Sequence, residues 1–291
     1  MTGALWAAAS GIGFGLFQSL NRRALRGIDD AFVSTFLQLA VAALVLGAAC
    51  VATGEAAGLA DAPATSIAAF AASGLVHFLL GWTFLNLSQK RIGAARTAPL
   101  LTFSPLFGLP VAAIAIGDLP SAAALAAILP MVAGAWLVAG GRGGNVRPAD
   151  ALFGLGCALM WAISPVLAVE GFGGIASPLL GVSLGMVASA LAYAAALAGR
   201  GSGLALGEIA RGALGFKLAA ALLVAFATWW RWIALDDASV GVVLALGLLS
   251  VPVVLFLAPV LVGGHLEQVT ARVWAGSALV VGGALTLLAV A

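Results

Sequence analysis

Charge is nearly missing from this sequence. Of 291 residues only 8% are Asp, Glu, Lys or Arg, while 63% are hydrophobic and the mean hydropathy is +1.15. Soluble globular domains carry roughly a quarter charged residues, so a soluble domain is excluded and the chain reads as an integral membrane protein. Cysteine is scarce too. Cys50 and Cys157 are the only two, both lie in apolar runs without CxxC or metal spacing, and they read as buried thiols. No Lys/Arg cluster alternates with aromatics, which excludes nucleic acid as a partner. There is no HExxH, GxSxG, P-loop or His/Cys pairing, so no enzyme, cofactor or metal is expected. Residues 1 to 20 lack a basic n-region and are expected to stay as a membrane helix.

Long apolar runs are what the chain has in plenty. A helix needs about 20 apolar residues to cross the hydrocarbon core. Ten such stretches fall near 3–21, 31–53, 64–88, 94–117, 119–141, 150–169, 174–198, 213–235, 238–261 and 271–290. No Asp or Glu lies in the interior of any of them. The most polar linker, Gly140 to Asp150, sits at the midpoint and divides the chain into units at 1–143 and 148–291.

Those units are expected to be repeats. An ungapped slide of 147 residues superposes Phe14 on Trp161, Trp82 on Trp229, Pro105 on Pro252 and Gly117 on Gly264. Lys and Arg gather after helices 1, 3, 5, 7 and 9 (Arg22, Arg23 and Arg26; Lys90, Arg91 and Arg96; Arg142 and Arg147; Arg200, Arg211 and Lys217; Arg272). The basic loops therefore follow odd-numbered helices in the first half and the second and fourth helices of the second half. Five helices per unit is an odd number, which inverts the second copy. The expected fold is all-α, ten transmembrane helices in two inverted five-helix repeats around a central cavity. Inverted repeats place a binding site near the bilayer midplane between the halves. The positive-inside rule puts the basic loops in the cytoplasm and both termini outside, in a bacterial-type inner membrane.

One stretch breaks the helical pattern. Between Arg96 and Asp118 lie Pro99, Pro105 and Pro110, and each proline removes a backbone donor and clashes with the carbonyl four residues back. In hydrocarbon such breaks persist only where protein or a water-filled cavity satisfies the freed groups. Ser250, Pro252 and Pro259 repeat the theme in helix 9, where broken backbone can present amides and carbonyls to a zwitterion.

A proline-rich fourth helix with Ser104-Pro105, then Gly117-Asp118 and the Gly134, Gly140, Gly141 series, resembles the drug/metabolite transporter superfamily, EamA-type branch. The second half repeats it with Ala234-Leu235, Ala238-Ser239, Pro252, Gly264 and Gly282-Gly283. The usual Gly-Glu is Gly117-Asp118 here and Gly264-His265 in the second copy, and the Gly54 to Asp61 loop carries no cation. The resemblance implies a secondary carrier, usually an exporter of small metabolites, with a cavity lined by helices 1, 3, 4, 6, 8 and 9. Within the branch the chain looks most like amino-acid exporters.

Several side chains are candidates for that cavity. Phe14, Phe17, Gln18 and Asn21 share one helical face, with Gln18 and Asn21 either lining a cavity or bonding neighbouring helices. Trp161 and Ser164 occupy helix 6 near mid-depth, and Trp161 should face Phe14 across the pseudo-axis. His77 stands mid-helix with Phe78 and Trp82 nearby, and either binds substrate or bonds a neighbouring helix. Phe103 and Trp229 complete the candidate lining. Arg231 either snorkels to the far surface or is fixed as an anion contact or gate, with Glu170, Asp236 and Asp237 as partners. Pro99, Pro105, Gly108 and Pro252 are the expected flexing points.

The partners expected are a small-molecule substrate and the lipid bilayer, and monomer and homo-oligomer both stay open. Two carrier readings follow. One is an exporter of amino acids, aromatic or hydrophobic ones favoured, or of related metabolites. The other is a proton-coupled exporter of toxic organic cations, which commonly needs a carboxylate at membrane depth.

Overall fold

The computed structural model describes residues 2–108, 122–138, 147–199, 209–238 and 240–290. Pro110, Gly117-Asp118, Gly140, Gly141, Ser239 and most of the midpoint linker lie outside them. Every regular element among the described residues is helical: α1 Thr2–Ala24, α2 Ala31–Ala52, α3 Ala64–Ile92, α4 Ala94–Leu101, α5 Ala122–Val138, α6 Pro148–Phe172, α7 Pro178–Gly199, α8 Arg211–Asp237, α9 Val240–Gly247, α10 Ser250–Val262 and α11 Ala271–Val290. Five of them, α2, α3, α6, α7 and α8, are long and apolar enough to cross a membrane. A short 3-10 turn, Glu55–Leu59, follows α2.

Local chemistry sets the ends. Asp30 caps α2 by accepting the Phe32 amide at 2.7 Å. Pro148 opens α6 at a position where its missing N–H costs nothing. Gly93 and Gly263 follow α3 and α10 with φ of 84° and 111°, a backbone conformation that favours glycine.

Antiparallel pairs build the bundle. α1 lies along α8: Thr2 Oγ1 donates to Asp237 at one end, Ser10 Oγ donates to the Ala227 carbonyl at 2.8 Å, and Gly27 meets Ala213 at the other end. α3 lies along α6, with Ser66 beside Gly174 and Arg91 paired to Asp150 at 2.8 Å. α2 packs on α7, and α5 on α11, where a Cβ on Gly134 would stand 2.5 Å from the Gly276 carbonyl oxygen. Glycines also bring α1 onto the junction of α9 and α10. A Cβ on Gly11 would lie 2.3 Å from the Leu246 carbonyl oxygen, and one on Gly15 would lie 2.9 Å from that of Ser250. Such small-residue rows let helices approach where lipid offers no hydrophobic drive.

The proline-containing helices are broken, but not at the prolines. The turns fall at Thr102–Phe103 and at Leu248–Leu249, so Pro105 and Pro252 stand in the first turn of the next helical piece. There a missing N–H is tolerated. A second departure is Lys217, grouped above with a basic loop. α8 starts at Arg211, which carries Lys217 well into the bundle, where it is 0% exposed.

Candidate functional site

Both helix breaks open onto one cavity of ≈40 Å³ in the middle of the bundle. Leu101, Thr102 and Ser104 line it from the first break, Gly247, Leu248 and Ser250 from the second, and Phe14, Gln18, Trp161 and Arg231 complete the wall. That volume suits two or three waters, so a larger occupant requires the broken helices to part. A hollow of ≈200 Å³ at Phe32, Leu79, Thr83, Tyr193 and Leu197 is larger but almost wholly apolar. It offers little to orient a solute, and the central cavity is the better candidate site.

Phe14 and Trp161, one on α1 and one on α6, meet with ring centroids 5.8 Å apart. His77 stacks on Trp161 at 5.3 Å and 10°, and its Nδ1 lies 2.7 Å from Ser164 Oγ. The Ser164 carbonyl in turn accepts Ser73 Oγ at 2.9 Å. His77 thus makes an interhelical bond and stiffens the wall behind Trp161, while its Nε2 and the Trp161 Nε1 have no partner. The stretch Leu75–Gly81, which holds His77 and Phe78, is wound as a π-helix. Such turns occur mostly inside α-helices and frequently at functional sites. Gly81 in that turn leaves room for the indole: a Cβ there would stand 2.8 Å from Trp161 Nε1.

The other candidates are placed differently. Phe78 and Trp82 are fully buried beneath the wall, their rings 5.0 Å apart, with Phe17 against Trp82 at 6.4 Å. Phe103 is not in the lining and belongs to a buried cluster with Met131, Val280 and the wall residue Leu248. Trp229 lies beside Phe226, ring centroids 6.5 Å apart and tilted by 40°, and is half-buried. Pro99 is inside α4, and Gly108 has open space around it. Arg231 is 9% exposed and faces the cavity, its Nη1 against Gly247. Glu170, Asp236 and Asp237 form no ion pair with it.

Sequence reasoning missed a second polar centre beside the first. Lys217 Nζ donates to Asn21 Oδ1 at 2.6 Å and to Gln38 Oε1 at 2.9 Å. Asn21 Nδ2 donates to Asn86 Oδ1 and Gln89 Oε1, both at 2.8 Å, and Asn86 Nδ2 reaches Thr35 Oγ1 at 2.9 Å. All six side chains are 0% exposed, and they tie α1, α2, α3 and α8 together. The available signal was four amides in apolar helices, each of which needs a partner out of water.

At the next residue of α1, Arg22 Nε pairs with Glu267 Oε1 at 2.5 Å, and Glu267 Oε2 accepts the Ala95 amide at 3.1 Å. This latch joins α1, the start of α4 and the connection between α10 and α11. The carboxylate fits because Gly93 has no side chain, a Cβ there falling 2.6 Å from Glu267 Oε2.

Residues 1–140 match the model of a family described as "EamA-like transporter family". No curated protein matches the chain. One solved structure, described only as the crystal structure of a protein, is similar over 96% of this chain and 95% of its own. Its TM-score is 0.61 at 20% identity, a likeness of fold.

Proposed function

From the premise that residues 1–140 belong to the EamA-like transporter family, membrane transporters of small molecules, we propose that this protein exports amino acids or related small metabolites by alternating access. It acts as a secondary carrier of the inner membrane and favours aromatic or hydrophobic side chains. The observation that carries this reading is the convergence of two helix breaks and the Phe14–Trp161 pair on one cavity. Unwound backbone and aromatic walls give a small solute both polar and apolar partners.

Two inverted five-helix units are the machinery of this reading. Its support is that packing partners exchange when the halves are exchanged: α1 with α8 answers α6 with α3, while α2 with α7 and α5 with α11 answer themselves. The sense of the chain agrees. α1 ends near Lys90 and Glu267, whereas α6 begins at that end, where Asp150 meets Arg91. Arg22, Arg23, Arg26, Lys90 and Arg91 crowd this end and make it the cytoplasmic one.

Purified protein in liposomes loaded with unlabelled phenylalanine should accumulate labelled phenylalanine or leucine by counterflow, without an imposed proton gradient. Absence of counterflow for every amino acid in a panel defeats this reading. The second reading, export of organic cations, must bring positive charge beside Arg231. At a separation of about 6 Å and an effective dielectric constant near 20, that costs roughly 3 kcal/mol. Uptake of a lipophilic cation strictly dependent on a proton gradient would favour it.

A further inference from the structure

Arg231 is a guanidinium within a membrane bundle, 9% exposed, and none of the carboxylates among the described residues pairs with it. A charge taken out of water is stable only with a counter-charge or dense hydrogen bonding. Arg22, at the end of the bundle, has its carboxylate in Glu267. Arg231 instead faces the cavity, with the hydroxyl-bearing residues Thr102, Ser104 and Ser250 in the same wall. Its planar fork matches a carboxylate in two-point geometry. Gln18 also lines the cavity. It is 1% exposed, and its Oε1 receives no hydrogen bond from the protein. A buried acceptor left open costs free energy and suits an N–H brought in by a ligand. The remaining wall, Phe14, Trp161, Leu101 and Leu248, is apolar.

We infer that the central cavity holds a split zwitterion site: Arg231 takes the carboxylate of an α-amino acid, Gln18 takes its ammonium, and the Phe14–Trp161 wall takes the side chain. The inference rests on the small-molecule carrier reading above and narrows it to amino acids with both charged groups free. It makes the carboxylate the group that the site requires. Binding occurs in a state in which the broken helices have parted, since the cavity seen here is ≈40 Å³.

Three probes with one ring separate the contacts: phenylalanine, 3-phenylpropionate, which lacks the amine, and phenethylamine, which lacks the carboxylate. Binding is read as thermal stabilisation of the detergent-solubilised full chain. Phenylalanine and 3-phenylpropionate should stabilise the parent protein, and phenethylamine should not. Arg231→Gln should weaken both acids by roughly 10- to 100-fold, the range of a lost charge-assisted hydrogen bond. Gln18→Leu should weaken phenylalanine and leave 3-phenylpropionate unchanged. Arg231→Lys keeps the charge and should retain the preference for acids, and the unliganded melting temperature of each variant reports folding.

Equal binding of phenethylamine and 3-phenylpropionate by the parent, or acid binding unchanged in Arg231→Gln, overturns the carboxylate subsite. Phenylalanine binding unchanged in Gln18→Leu overturns the ammonium half. If acids bind through Arg231 but liposomes transport no amino acid, the export reading falls and the subsite stands. If Arg231→Gln transports amino acids with an unchanged KM, the subsite falls and the export reading stands.

Discussion

Trp161 shows how far single residues could be read. It was legible because tryptophan is rare enough for its 147-residue offset from Phe14 to carry information, and the two rings do meet at 5.8 Å. Replacing it with alanine removes one cavity wall and the stacking partner of His77. Counterflow by Trp161→Ala should fall at least 10-fold while the protein still elutes as a monodisperse species, and normal flux would remove Trp161 from the site. Lys217 was not legible, because a cation six residues into a helix reads as a membrane-surface anchor until the partners of its side chain are known. Asn21, Gln38 and Asn86 stand far apart in sequence and show nothing of the cluster they form. Lys217→Met keeps most of the length of the side chain but leaves Asn21 Oδ1 and Gln38 Oε1 without their donor. Each buried orphan costs about 1–3 kcal/mol, so the melting temperature in detergent should drop. An unchanged midpoint would show that water replaces the ammonium.

At the scale of helices, the sequence foretold that the fourth and ninth spans break, and the turns stand a few residues before the prolines. Proline chemistry explains the offset. The N–H that an ordinary residue would carry at 105 or 252 would bond the carbonyl of residue 101 or 248, across the turns at 102–103 and 248–249. Pro105 and Pro252 thus remove the hydrogen bonds that would rejoin the helices, and their consequence appears one turn earlier. Pro105→Ala with Pro252→Ala restores both donors and should straighten the spans. Transport in liposomes should slow several-fold, with the unfolding midpoint equal to or above that of the parent; full activity would show that the breaks are not hinges. The π-turn at Leu75–Gly81 had no comparable signal, since nothing in Leu-Val-His-Phe-Leu-Leu-Gly distinguishes it from α-helix. Its register depends on how His77 and Gly81 dock against Ser164 and Trp161, which is tertiary information.

Across the whole molecule, positive charge is sorted by end. Arg22, Arg23, Arg26, Lys90, Arg91 and Arg147 stand at the end closed by the Arg22–Glu267 latch, whereas Glu55, Glu170, Asp236 and Asp237 stand at the other. That sorting was readable as a tally of loops, although it could not reveal that Glu267 turns inward to accept both Arg22 and the Ala95 amide. The inverted-repeat proposal makes this asymmetry a statement about topology. Because each unit is expected to cross the bilayer five times, the residue after its first helix should face the cytoplasm in the first unit and the outside in the second. Asp29 and Gly173 are exposed at these two places, and Cys50 and Cys157 are both buried. In a Cys50→Ala, Cys157→Ala background, Gly173→Cys should react with an impermeant maleimide added to intact cells. Asp29→Cys should react only after the membrane is opened. Labelling of both from the same side would mean that the two units thread the bilayer in one sense. The exchange of packing partners between the halves would then have some origin other than an inverted repeat.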